Sequence, residues 1–190
     1  MKKLIAMLLA LTCVFGLVAC GGNANNETPE TDPVVKPASA LEVLQKTWAA
    51  VAEDKKFPVM GGDFENIVDG APGAYSLTDE GLSSTLLIPA EQVANVDEAA
   101  SLVHGMMVNN FTMGAFHVTG DVAAFVEAMH TAITGNRWMC GMPEKLIIAV
   151  VGGEYVVAGF GINDAIAPFE AAFTATYPDA EMKYNEAITG

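Results

Sequence analysis

Cys140 lies within Trp138-Met139-Cys140-Gly141-Met142-Pro143, where an aromatic ring, a thiol, a glycine and a proline share a loop ahead of a strand-like run. A thiol so placed can react with peroxide or a disulfide only if water reaches it and its thiolate is favoured. Dithiol exchange of the thioredoxin type needs a second thiol on the same turn, and neither Met142 nor Pro143 supplies one. Because free cysteine is among the most buried residue types, the plain expectation is that Trp138, Met139 and Met142 plug one end of the core around a buried Cys140. The second constellation is His104 and His117. A hairpin turning at Asn109-Asn110 would set these imidazoles diagonally on one face, within reach of Met106, Met107, Met113 or Cys140, a soft site for copper or a softer zinc site. No spacing fixes a third ligand, so no metal ligand is assigned; Trp138, Cys140, His104 and His117 are candidates for binding, and Cys140 alone is a candidate for catalysis.

The acidic pairs Asp79-Glu80 and Asp97-Glu98 fall at predicted helix starts, where carboxylates favour the macrodipole, so capping explains them without acid–base chemistry. The chain contains no Gly-x-Ser-x-Gly, no phosphate-cradling glycine loop and no helical histidine pair at metal spacing. Catalysis is not expected from these residues, and no cofactor is expected beyond the lipid discussed next.

Met1-Lys2-Lys3, a short apolar run and Leu17-Val18-Ala19-Cys20 read as a lipoprotein signal peptide over residues 1–19. Cys20 is then the lipidated residue and the mature N-terminus, and the expected location is the outer face of the cytoplasmic membrane, held by a lipid anchor. Residues 20–38 are polar, acidic and broken by Pro29, Pro33 and Pro37, a composition suited to a linker. Residues 39–190 are expected to make a single domain.

That domain must position the candidates, and its element signals alternate. Ser39-x-x-Glu42 makes a capping box for a helix with Leu41, Leu44, Trp48 and Val51 on one side, continuing to Phe57-Pro58. Residues 59–76 read as irregular surface with room for short strands, and residues 78–87 as a helical turn or two. Strands are predicted at Ala99 to Met107 and Phe111 to Thr119, the first with a helix from Asp97 as alternative. Asp121 caps a helix with Val122, Phe125, Val126, Met129 and Ile133 on one face. Leu146 to Val151 and Tyr155 to Phe160 form a hairpin through Gly152-Gly153-Glu154. A helix beginning near Pro168 and a last strand at Glu181 to Tyr184 complete β-α-β-β-α-β. The fold class is α+β: an antiparallel sheet of about four to five strands covered by two helices in a split βαβ (ferredoxin-like) arrangement, plus the N-terminal helix.

With 9 basic against 23 acidic side chains, the chain carries a net charge of −14, and the signal segment would take two of the lysines with it. Nucleic acid and anionic lipid reward the opposite sign, so nucleic acid is excluded as a partner and a basic peptide or a basic face of a membrane protein complex is favoured. With Cys13 in the signal segment and Cys20 lipidated, Cys140 has no internal disulfide partner.

The lipobox, the acidic linker, Val-His-Gly-Met-Met-Val-Asn-Asn-Phe-Thr (103–112), Trp-Met-Cys-Gly-Met-Pro (138–143) and Tyr-Val-Val-Ala-Gly-Phe-Gly (155–161) resemble a group of small uncharacterised lipoproteins of Gram-positive anaerobes. Some members of that group carry the name bacteriocin transport accessory protein, which implies a thioredoxin-like role. This chain departs from that role in having one thiol. The expectation is therefore a lipid-anchored extracytoplasmic binding or accessory protein without catalysis of its own. The alternatives are a monothiol redox protein using Cys140 and a copper-binding lipoprotein using the histidines.

Overall fold

Helix α1 spans Ala40–Ala50, and its start follows the capping-box chemistry: the Ser39 hydroxyl accepts the Glu42 N–H at 3.1 Å. The Glu42 carboxylate reaches back to the Ala38 N–H at 2.6 Å, one residue beyond the expected partner. The helix stops at Ala50, short of Phe57-Pro58, because Val51 leaves the helical basin at ψ 130°. These coordinates are a computed structural model that describes residues 36–78 and 80–189, part of the unit Pro33–Gly190. The predicted signal peptide, Cys20 and Asp79 lie outside the described residues.

Eight strands form one sheet in which every pairing is antiparallel. They are β1 (Val59–Gly61), β2 (Val68–Asp69), β3 (Gly73–Tyr75), β4 (Val96–His104), β5 (Phe111–Val118), β6 (Lys145–Val151), β7 (Tyr155–Gly161) and β8 (Glu181–Ala187). The order across the sheet is β2-β1-β4-β5-β7-β6-β8, with β3 also on β4. The fold is thus α+β as expected, with more strands than four to five, because residues 59–76 supply three short ones. Helices α2 (Gly81–Ser84), α3 (Val122–Thr134) and α4 (Asn163–Thr176) complete the main elements.

The split βαβ order does not hold. In that arrangement the last strand returns beside the first, but here β4 already pairs with that side of β5, so β8 pairs with β6 at the opposite edge. The consequence is a different layering. Crossovers β5-α3-β6 and β7-α4-β8 step across the sheet in the same direction from antiparallel strands, and right-handed connections then require opposite faces. Helices α1 and α4 accordingly bury Leu44, Trp48, Ile166, Phe169 and Phe173 against Phe111, Met113, Ile147 and Val157 on one face. Helix α3 buries Phe125, Val126, Met129 and Ile133 against Phe116, Leu146, Ile148 and Val156 on the other. Two helices on one face become helices on both.

Two further boundaries differ. Asp121 caps α3 as predicted, its carboxylate accepting the Ala124 N–H at 3.0 Å, but α4 begins five residues before Pro168. The N–H that Pro168 lacks would have bonded one carbonyl, and the burial of Ile166, Phe169 and Phe173 offsets that loss. The β4–β5 connection is longer than an Asn109-Asn110 turn. Strand β4 ends at His104, residues 108–110 make a 3-10 turn, and Val103 pairs with Thr112. The β6–β7 hairpin is as predicted, with Gly152 (φ 59°) and Gly153 (φ 81°) supplying the left-handed backbone its turn requires.

Candidate functional site

The structure separates the candidate residues into two regions. At the turn end of the sheet, where β6 passes into β7, His117 projects from β5 onto the α1/α4 face. Its Nδ1 lies 2.5 Å from Asp97 Oδ1 and its Nε2 3.1 Å from Glu154 Oε1. Its ring meets Tyr155 at 4.8 Å between centroids, and Lys36 Nζ completes the network at 2.7 Å from Glu154 Oε1. Asp97's hydrogen bond, supported by that of Glu154 and opposed by burial, raises the His117 pKa above its ordinary value. Lys36 first and His117 second draw the Glu154 carboxyl below its usual range. An imidazolium between two carboxylates donates from both nitrogens, so the protonated ring satisfies every partner and has no lone pair for a metal.

The acidic pairs take places the sequence did not suggest. Asp97 and Glu98 sit in strand β4, where Asp97 holds His117 and Glu98 Oε2 accepts the Ala40 N–H at 2.9 Å, stabilising the first turn of α1 from the sheet. Glu80 precedes α2 and makes no side-chain cap.

His104 lies on the same face as His117 but near the far end of the strand pair. It stands one position beyond Val103↔Thr112, whereas His117 pairs with Glu98. Six residues along β5 separate the two levels, about 20 Å at strand rise. The hairpin therefore keeps the two imidazoles apart, and the shared copper sphere expected of them does not form. His104 instead stacks on Phe57, with centroids 5.4 Å apart. Its Nδ1 accepts the Met106 and Met107 N–H groups at 3.2 and 3.3 Å, shaping the loop after β4. The third histidine, His130, stacks on Tyr184 and lies 2.7 Å from Glu186 Oε1. Among the described residues no group of three or more His, Cys, Asp or Glu side chains could hold a metal ion.

The second region is a methionine-lined corner. Asn109 donates its amide to Met139 O at 2.7 Å and Gly141 O at 2.8 Å, pinning the 138–143 loop against the 106–110 connection. Within that loop only Trp138 plugs the core as expected, edge-on to Phe160 at 4.6 Å and with its Nε1 buried and unpartnered. Cys140 is exposed, at φ 63°, followed by Gly141 at φ 117°. The expectation of a buried thiol is corrected: the left-handed pair Cys140-Gly141 turns the chain outward, and the Asn109 amide fixes it so. Met106 and Met139 are 80% and 77% exposed, with Met107, Val108 and Met142 also exposed. Val108 joins this surface to a cleft of about 130 Å³ walled by Met60, Phe64, Ile67, Tyr75 and Val103. Sequence reasoning missed this cleft because Phe64 and Ile67 stand in a glycine-rich segment without period.

Beside the cleft, and sharing Asp63 and Phe64 with it, a polar hollow is lined by Glu65, Ser76, Thr78, Glu80 and Ser84. Asp63 is a structural group there. Although burial pushes its pKa up, hydrogen bonds from the Ser76, Asn66 and Glu65 N–H groups and the Asn66 amide hold its carboxyl below the usual range. Glu65 and Glu80 are exposed and make no ion pair with a described lysine or arginine. No helix among the described residues is long and apolar enough to cross a membrane. No family model, curated protein or solved structure matches this chain.

Proposed function

We propose that this chain is a lipid-anchored extracytoplasmic binding or accessory protein, fixed through Cys20 to the outer face of the cytoplasmic membrane and without catalysis of its own. The observation that carries the binding part is the methionine-lined corner: of the nine large exposed apolar side chains among the described residues, seven belong to it or to its cleft, the others being Val68 on β2 and Met182 on β8. Clustered exposed apolar surface marks interaction sites, and unbranched methionines adapt to varied partner shapes. The lipobox residues and the acidic linker composition support the anchoring part, as does the resemblance to small lipoproteins. A lipid carrying more than one chain gives durable attachment.

The anchor is tested by metabolic labelling with a palmitate analogue. The wild-type chain should be labelled and sediment with membranes, and Cys20→Ser should do neither; labelling that survives the substitution removes the anchor. The corner is tested with a photo-crosslinking residue at Met106, at Met139 and, as reference, at Met182. One discrete adduct from the first two sites and none from the third is expected. Equal yields at all three would remove the assignment of the corner.

A second reading, a monothiol redox protein using Cys140, is supported by the exposure of the thiol on its pinned loop. It requires that a thiol reagent react faster with the folded chain than with the denatured one at neutral pH, the mark of a favoured thiolate. Equal rates leave Cys140 as one more soft side chain of the corner.

A further inference from the structure

We infer that the cleft at this corner receives a cationic peptide segment, seating one apolar side chain among Phe64, Ile67 and Val108 while its lysines or arginines lie over Glu65 and Glu80. The inference rests on the binding reading above and names its partner class. Size and lining set the apolar half: about 130 Å³ bounded by Met60, Phe64, Ile67, Tyr75, Val103 and Val108 fits one aliphatic or aromatic side chain and offers it little to hydrogen-bond.

Charge sets the other half. The adjoining hollow, about 420 Å³, carries two exposed carboxylates without cationic partners among the described residues, while Asp63 between the two spaces is already saturated by four donors. Lysines elsewhere are engaged: Lys36 by Glu154, Lys46 by Glu42, Lys56 by Glu53, Lys145 by Glu170 and Lys183 by Glu181. The free negative charge beside the cleft therefore faces outward, and a segment alternating apolar and basic residues complements both spaces at once. An anionic lipid surface matches the apolar half only, since Glu65 and Glu80 repel its headgroups.

The probe is a fluorescein-labelled lysine peptide with one central leucine, titrated by anisotropy against the full chain in phosphatidylcholine vesicles, with protein-free vesicles as reference. Ile67→Ser should weaken binding about tenfold or more. Glu65→Gln with Glu80→Gln should weaken it severalfold and flatten its salt dependence, and Met182→Ser should leave it unchanged. Phe64 and Ile67 are 72% and 61% exposed, so their replacement tests the cleft without opening the core. A probe with serine for leucine should bind at least tenfold more weakly, and one with glutamates for lysines should not bind. The inference is overturned if the serine probe binds as well as the leucine probe, or if Ile67→Ser and the double glutamine variant both bind as wild type. If no probe binds while Met106 still yields its discrete adduct, the peptide class falls and the binding reading stands; loss of both removes both.

Discussion

At the turn end of the sheet Asp97, His117, Glu154 and Lys36 all have partners, whereas at the methionine corner large apolar groups face water and two carboxylates beside its cleft have no counterion among the described residues. Asp97, His117, Glu154 and Lys36 satisfy one another over distances of 2.5 to 3.1 Å. A saturated network has little left to offer a ligand, and its role is to hold β4, β5 and the β6–β7 turn together. The corner combines the opposite properties: a rigid frame, set by Asn109 and His104, carrying side chains that fold stability does not need exposed. Histidine and carboxylates together thus form a structural network here, whereas the exposed methionines form the surface proposed to bind.

The largest expected effect lies in the core under α1 and α4. Phe111 touches Phe57 and Phe169 edge-on at 5.1 and 5.4 Å and is fully buried, so Phe111→Ala should cost about 3–5 kcal/mol in urea unfolding. Next comes the network. Because the folded-state pKa of His117 is raised, its contribution is complete below the unfolded value near 6.5 and is lost as pH rises through the folded value. The stability gap between wild type and His117→Gln should therefore be widest at pH 5.5 and close by pH 9, and a gap that widens with pH would show the ring acting as a neutral group. Smaller is Asn109→Ala, at about 1 kcal/mol for two partly exposed hydrogen bonds, read as faster amide exchange in residues 139–142. The smallest is Met106→Ser or Met139→Ser, within about 0.5 kcal/mol of wild type. A loss there of the size seen for Phe111→Ala would mean the corner serves the core, and the contrast between the two regions would collapse.

Local signals read well in this chain, and long-range ones did not. Ser39, Asp121 and Gly152-Gly153 specify their caps and turn within four residues, and all three work as their spacing predicts. The two-sided sheet stands in the sequence, although the split βαβ reading makes it one-sided: Leu146-Ile147-Ile148-Ala149-Val150-Val151 is apolar at every position where a one-sided strand would alternate. The register of β4 on β5 was not legible, because it depends on the His104 ring turning the Met106 and Met107 N–H groups inward and on Gly105 N–H bonding Pro58 O at 2.9 Å. Cys140 was misplaced for a similar reason. Its exposure depends on an amide thirty residues upstream that no local pattern announces.

The entry of the chain into the fold has a mechanical meaning. Pro37 is buried, the Lys36–Pro37 segment lies over Gly152 in the β6–β7 turn, and the Lys36–Glu154 ion pair is the outermost bond that holds it there among the described residues. Tension arriving from upstream meets this pair first, then the Pro37 contact, then the hydrogen bond from the Ala40 N–H to Glu98, before it reaches the packed side chains of α1. A pull on Lys36 would therefore have to break these bonds one after another, like a sacrificial fuse, before it loaded the core under α1.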